Sequence, residues 1–178
     1  MSANSDYRVE DRLKITEVLY AYCRGVDRID LDVLRDVFEP DAKIAKGNGE
    51  VALPDWLIYI AEKHPAIPRT SHMVTNYLID FTGADSAFVE SWCLAVEQHP
   101  ASGPNGEDVD HVVRVRYADS FKLRDGTWRI ATRAYIMDHV MSAIVRDDLI
   151  PDFGLRYQGI RGPADLASTQ RRKALGLD

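Results

Sequence analysis

Apolar residues recur at helical spacing from Tyr7 to about Asp27, through Val9, Leu13, Ile15, Val18, Leu19, Tyr22 and Val26. They predict one amphipathic helix, with Asp6 or Ser5 as its cap. A second, shorter helix is expected from the capping residue Asp30 through Leu31, Leu34, Val37 and Phe38, stopped at Pro40-Asp41. Ala42–Ala45 reads as a short strand and Lys46-Gly47-Asn48-Gly49 as the loop after it. Pro54 suits the first turn of a third helix, which carries Trp56, Leu57, Tyr59 and Ile60 and ends near His64-Pro65.

After Pro68 the apolar period shortens from that of a helix to that of a strand. Four extended runs follow, over about 70–81, 86–99, 109–124 and 127–139. Thr82-Gly83-Ala84-Asp85 and Arg124-Asp125-Gly126-Thr127 are hairpin signals, the second a strong Asp-Gly turn, and 100–108 is a longer polar loop. Helices followed by a meander of long strands indicate an α+β fold with one curved antiparallel sheet. The tail 140–178, with Pro151, Gly154, Gly159, Gly162 and Pro163, reads as an irregular crossing segment closed by a short helix from about Ala164 to Lys173.

Composition narrows the function classes. With 178 residues, 46% hydrophobic and 28% charged, the chain fits a single domain over 1–178 that can enclose a pocket without disulfide or metal staples. A net charge of −6, with no Lys/Arg run longer than the triplet Arg171-Arg172-Lys173, makes nucleic acid an unexpected partner. The N-terminus MSANSDYRVED lacks the pattern of a signal peptide, and no apolar run is long enough to span a bilayer, so a cytoplasmic protein without a membrane partner is expected. Cys23 and Cys93 sit in apolar stretches without metal-ligand spacing and read as buried free thiols.

Four residues carry candidate chemistry. His72, early in the first extended run, shares strand parity with Val74, Asn76 and Leu78 and can take a proton near neutral pH. Alone it could as well be a solvated or merely hydrogen-bonded histidine. Asp27 ends the first helix, where the helix dipole disfavours a carboxylate. It either pairs with Arg24 or Arg28 or holds an imidazole, in which case it would fix the tautomer and raise the basicity of the other ring nitrogen. Tyr22, five residues before Asp27, can reach the same cavity mouth and polarise an oxygen, or be a core tyrosine. Arg133 lies inside the last long run, where on a concave sheet face it could bind an anionic leaving group or a carboxylate, or else form an outer-face salt bridge, for example with a glutamate of the neighbouring strand. No GxGxxG, P-loop, HExxH, GxSxG or EF-hand loop occurs, and no metal is expected.

Helix-end Tyr20-Ala21-Tyr22-Cys23-Arg24-Gly25-Val26-Asp27, the stretch Asp30–Ala42, Ser71-His72-Met73-Val74-Thr75-Asn76 and Arg124-Asp125-Gly126-Thr127-Trp128-Arg129-Ile130 together resemble the SnoaL-like branch of the nuclear transport factor 2-like superfamily. The resemblance spans about residues 8–139 and leaves 140–178 as a C-terminal extension. It implies a cone-shaped α+β barrel, a curved sheet wrapped around the N-terminal helices with an apolar cavity. Members it resembles include hexachlorocyclohexane dehydrochlorinase, scytalone dehydratase and bile-acid 7α-dehydratase, in which an Asp–His dyad removes a proton as a leaving group departs. Asp27 and His72 match the dyad positions. Tyr22 matches the tyrosine of the bile-acid enzyme, where the dehydrochlorinase has a lysine, and Arg133 matches the latter's arginine. The missing lysine argues against halide elimination in particular and leaves dehydration or a related elimination open.

On this resemblance the expected activity is a cofactor-independent lyase of dehydratase type. Its substrate would be small, hydrophobic and ring-bearing (steroid, aromatic or polyketide-like), and Trp56, Tyr59, Val74, Asn76, Tyr117, Tyr135 and Met137 would line the pocket. A polyketide cyclase or isomerase using the same dyad, or a non-catalytic β-subunit or binding module, are the alternatives. A homo-oligomer is expected, a trimer ahead of a dimer, with the apolar tail 140–160 as a contact.

Overall fold

The computed structural model describes residues 7–47, 49–145 and 159–177. Helix α1 (Val9–Arg28) and helix α2 (Leu31–Val37) lead into strands β1 (Phe38–Lys46) and β2 (Gly49–Ala52). Helix α3 (Leu53–Lys63) and a 3-10 turn (His64–Ala66) follow. Strands β3 (Thr70–Phe81), β4 (Ser86–His99), β5 (Val109–Arg124) and β6 (Thr127–Ile144) form the meander, and helix α4 (Leu166–Leu175) comes last. The sheet order is β2-β1-β6-β5-β4-β3, antiparallel except for the parallel pair β1–β6, so the strip curls without closing. This is the α+β cone the sequence led us to expect.

Helix α1 lies in the hollow of the strip. Its inward stripe Ile15, Leu19, Tyr22, Cys23 and Val26 is buried against inward-facing strand residues such as Val89, Val115, Tyr117, Phe121, Trp128 and Ile130. Arg8 rather than Ser5 or Asp6 occupies the cap position of α1; residues 1–6 lie outside the described set. Asp30 caps α2 as expected, its side chain accepting from the Val33 N–H. Gly25 lets the two helices approach, for a Cβ there would sit 2.7 Å from Leu34 Cδ2. Asp125 and Gly126 both take positive φ, 51° and 77°, as the hairpin joining β5 to β6 requires.

Three expectations need correction. Strand β1 starts at Phe38, before Pro40, because the ladder to β6 is irregular between Phe38 and Lys43 and a proline's missing donor costs nothing there. Strand β6 runs on to Ile144, paired with Val109, so 140–144 belongs to the sheet rather than to an irregular tail. A bulge in β3 between Val74 and Tyr77 reverses the side-chain alternation. Residues before it face inward at even numbers, whereas after it Tyr77, Ile79 and Phe81 turn in and Leu78 is 68% exposed. Most of the proposed contact 140–160 lies outside the described residues. None of the described helices is long and apolar enough to cross a membrane.

Candidate active site

Asp27 and His72 meet at the end of α1. The imidazole Nδ1 lies 2.7 Å from Asp27 Oδ1, which also accepts from Thr70 Oγ1 at 2.8 Å. Oδ2 accepts from the His72 backbone N–H at 2.9 Å. These three bonds answer why a carboxylate stands at the disfavoured end of a helix: the start of β3 supplies every donor. Arg24 pairs instead with Asp30, at 2.9 Å, and Arg28 reaches Asp165 at 3.6 Å. The side chains of His72 and Asp27 are only 8% and 14% exposed, so the pair works in a low dielectric.

Burial alone would push the His72 pKa down, but the hydrogen bond and charge of Asp27 outweigh it and hold the imidazole above its ordinary value. For Asp27 burial pushes up, and the bonds and charge from His72 with the Thr70 bond bring the carboxyl below its ordinary value. Both directions describe one ion pair. With Nδ1 committed to the carboxylate, Nε2 is the nitrogen left for a proton acceptor's role.

His72 lines a cavity of about 170 Å³ together with Tyr22, Val26, Trp56, Tyr59, Ile60, His64, Ile67, Glu97, His99 and Tyr135. A larger groove of about 530 Å³ runs outside, between α2, β1 and α3, but its wall (Leu31, Arg35, Pro40, Leu53, Pro54, Leu57, Ile58, Ala61) holds no group able to accept a proton. Of these two spaces, only the smaller has such a group on its wall. On its wall the hydroxyls of Tyr22 and Tyr135 are 2.5 Å apart, and Tyr22 stacks on Trp56 with centroids at 6.2 Å. Burial first, and for Tyr22 also its tyrosine neighbour, raise both phenol pKa values, so the pair stays protonated and acts as a hydrogen-bond donor. Glu97 and His99 form a second carboxylate–imidazole contact at 3.2 Å on the cavity wall, and the His99 and His111 rings lie 4.6 Å apart, tilted by 58°.

Of the expected pocket residues, Trp56, Tyr59 and Tyr135 line the cavity. Tyr117 is buried behind it, edge-on to Tyr135 with centroids at 5.2 Å, and Val74 packs into the core. Asn76 falls in the β3 bulge, exposed, its Oδ1 accepting from Thr75 Oγ1. Met137 lies on the Tyr135 side of β6 but toward its exposed end, and is itself 62% exposed. Neither reaches the cavity wall.

Arg133 is also displaced from its expected role. It is fully buried in a bidentate ion pair with Asp119 of β5, Nε to Oδ1 at 2.8 Å and Nη2 to Oδ2 at 2.6 Å. Its guanidinium lies 3.9 Å from the centroid of the Tyr22 ring and 4.2 Å from that of Tyr117. The pair shares the inner sheet face because Asp119 and Arg133 are directly opposed in the ladder. Arg133 thus sits behind the tyrosine wall, not in the cavity.

Sequence reasoning missed Val26, Ile60, His64, Ile67, Glu97 and His99. The two β4 residues were findable, since they continue the inward parity of Cys93 and Ala95 and Glu97 pairs with Thr70. Both cysteines are free and buried. Among the described residues no group of three or more His, Cys, Asp or Glu side chains is arranged to hold a metal ion.

Comparison with known proteins agrees with this architecture. Residues 7–134 match the SnoaL-like domain, and the chain belongs to that family, in the SnoaL-like part of the nuclear transport factor 2-like superfamily. Similar solved structures include a candidate scytalone dehydratase from Novosphingobium aromaticivorans, with a TM-score of 0.67, 22% identity, and coverage of 80% of this chain and 94% of that one. A type-3 hexachlorocyclohexane dehydrochlorinase from Novosphingobium barchaimii matches with a TM-score of 0.65, 19% identity, and coverage of 76% and 92%. An Asp-to-Asn variant of Rv3472, a protein of unknown function from Mycobacterium tuberculosis, matches with a TM-score of 0.64, 18% identity, and coverage of 98% and 92%. Among curated proteins no relative is found by sequence.

Proposed function

We propose that the protein is a lyase of dehydratase type in which His72, oriented by Asp27, is the general base. The observation that carries this is the 2.7 Å contact between His72 Nδ1 and Asp27 Oδ1 on the wall of a buried cavity. In the reaction His72 Nε2 takes a proton from carbon, the C–H electron pair forms the double bond, and the hydroxyl on the neighbouring carbon departs. The imidazolium returns its proton to that hydroxyl, so water leaves and the base is restored. The Tyr22–Tyr135 pair donates to an oxygen of the substrate as charge develops on it. Arg133 supports this only from behind the wall, through its charge against the Tyr22 ring. None of these proton transfers calls for a cofactor.

The cavity's size supports the smaller of the expected substrates. About 170 Å³ lies below the roughly 300 Å³ at which drug-sized pockets begin, which favours a one-ring substrate over a four-ring steroid. The names of structural neighbours, a candidate scytalone dehydratase and a hexachlorocyclohexane dehydrochlorinase, are compatible with elimination on a ring. A second reading has one observation in its favour: the paired tyrosine hydroxyls would equally stabilise an enolate, the intermediate of an isomerase or cyclase. Association of copies is supported by Met73, Leu78, Phe88 and Trp92, all at least 40% exposed on the outer sheet face.

The test is a panel of hydroxylated one-ring ketones and alcohols with product masses recorded. A product lighter by one water is expected from the wild-type protein, with turnover lost by about 10²–10⁴-fold in a folded His72→Ala variant. Turnover surviving at the wild-type rate in that variant would sink the dyad. A product of unchanged mass would select the isomerase reading.

A further inference from the structure

Beside the dyad, one side chain holds four backbone carbonyls. Arg161 belongs to the C-terminal segment, outside the 7–134 family match. Its Nε donates to the carbonyl of Asp27 at 3.1 Å and its Nη2 to that of Val26 at 2.6 Å. Its Nη1 donates to the carbonyls of His64 and Ile67, at 2.7 and 3.0 Å. Val26, His64 and Ile67 all line the cavity. The two pairs of carbonyls belong to different walls: one is the last turn of α1, the other the crossing from α3 to β3.

We infer that Arg161 is a positioning residue for the dyad, clamping the end of helix α1 that carries Asp27 to the His64–Ile67 wall from which β3 brings His72. This rests on reading Asp27 and His72 as the working pair. Three features support it. The last carbonyls of a helix have spare acceptor capacity, and here the Val26 and Asp27 carbonyls otherwise receive only the long bonds from Ile29 N–H at 3.3 Å and Arg28 Nη1 at 3.4 Å, so a short outside bond fixes the helix end in space. A positive charge at that end also offsets the negative pole of the dipole, on which Asp27 adds a further negative charge. And only an arginine can serve four acceptors in two directions, because its planar fork presents fixed donors where a lysine offers one point.

The segment is itself held in place, as a clamp requires. Asp165 accepts from the Ile160 and Ala167 N–H groups at 3.3 and 3.0 Å and faces Arg28 at 3.6 Å, so the turn carrying Arg161 is docked on α1. Arg24 Nη2 reaches Ser168 Oγ at 3.4 Å, a further contact to α4. The extension thus completes the site from outside the family core, although no side chain of it lines the cavity among the described residues.

The test reads the pair directly and needs no substrate. The His72 backbone N–H donates to Asp27 Oδ2, so its hydrogen exchange reports where the carboxylate stands, and a downfield Nδ1 proton reports the imidazole bond. In Arg161→Lys, which keeps a cation but not the fork, His72 N–H exchange should quicken about tenfold and the Nδ1 signal broaden. The amides of Tyr117 and Phe121, deep in the sheet, should keep their protection. Arg161→Met should behave like the lysine variant; if it does not fold, Arg161→Lys decides alone. Unchanged protection at His72 overturns the inference, as does an equal loss at every amide. So does loss of protection in Arg161→Met alone, which would leave charge without positioning. Because no turnover is measured, failure here is distinct from failure of the proposed activity, which the His72→Ala assay reads.

Discussion

Asparagine at position 27 keeps the shape of the side chain and removes its charge and one acceptor, so its cost can be worked from the geometry. In the native chain Asp27 Oδ1 accepts from Thr70 Oγ1 and His72 Nδ1, and Oδ2 from the His72 N–H. An amide offers one oxygen. If that oxygen replaces Oδ1, the amide NH₂ meets the His72 N–H donor to donor, and a buried group loses its partner at about 1–3 kcal/mol. If it replaces Oδ2, the amide donates to Nδ1 and forces the imidazole proton onto Nε2, where the ring cannot accept a proton. Activity should then fall about 10³–10⁴-fold, the scale seen when an orienting carboxylate of this kind becomes an amide.

Charge adds a part that depends on pH. The folded pKa of His72 is raised, so its stabilisation is complete below the unfolded value near 6.5 and is lost as pH rises through the folded value. The folded pKa of Asp27 is lowered, so its contribution is present above the unfolded carboxylate value and is lost as pH falls through the folded one. Near pH 5 both are charged; above the folded value of His72 the imidazole is neutral. Asp27→Asn should therefore cost about 3–5 kcal/mol near pH 5, as for any buried pair that loses one member. At a pH above the folded value of His72 it should cost only the hydrogen-bond share of about 1–3 kcal/mol. Urea unfolding at the two pH values, followed by the fluorescence of the three tryptophans, measures the difference. Equal costs, or the larger cost at the higher pH, would refute the ion pair.

Two further substitutions separate the tyrosine wall from the ion pair behind it. Tyr22→Phe keeps the ring against Trp56 and deletes the hydroxyl bonded to Tyr135, so kcat should fall by about 10–10³-fold, with stability lowered only by the loss of that one buried hydrogen bond, about 1–3 kcal/mol; an unaltered kcat would remove Tyr22 from the mechanism. Asp119→Asn leaves the Arg133 guanidinium, whose Nη1 already lacks a partner among the described residues, as a buried charge without its counter-ion. Chemical denaturation should register a loss of about 3–5 kcal/mol, and a loss below about 1 kcal/mol would mean that another anion takes over.

Local signals on the chain fix more of the fold than of the site. Periodicity located β3, β4 and β5 to the residue, because hairpin signals such as Asp125-Gly126 and the polar loop after His99 delimit them. What it could not locate was the extra residue in β3, since Thr75 and Asn76 suit either face and nothing in their types marks a bulge. One undetected residue moved Asn76 off the cavity and turned Leu78 outward. The pairing of Asp27 with His72 came from the family resemblance; the aspartate at a helix C-terminus, which violates a local rule, marked only that Asp27 needs a partner and left Arg24, Arg28 and an imidazole open. The contribution of Arg161 was not legible, as its partners are backbone carbonyls more than ninety positions away, which no side-chain pattern encodes.

The contrast between the two buried ion pairs is what turns the fold into a reading of function. Asp119–Arg133 and Asp27–His72 are each hydrogen-bonded and each withdrawn from water. The guanidinium cannot give up its proton at any physiological pH, and it does not line the cavity, so that pair can hold the wall and set its potential but cannot turn over. The imidazole can exchange its proton near neutrality, and it lines the cavity with one nitrogen uncommitted. Burial and pairing alone would have ranked the two alike, and arginine higher for its charge. Exchangeability and access separate them, which is why the proposed proton transfer falls to His72 while Arg133 is left as part of the wall that the tyrosines lean on.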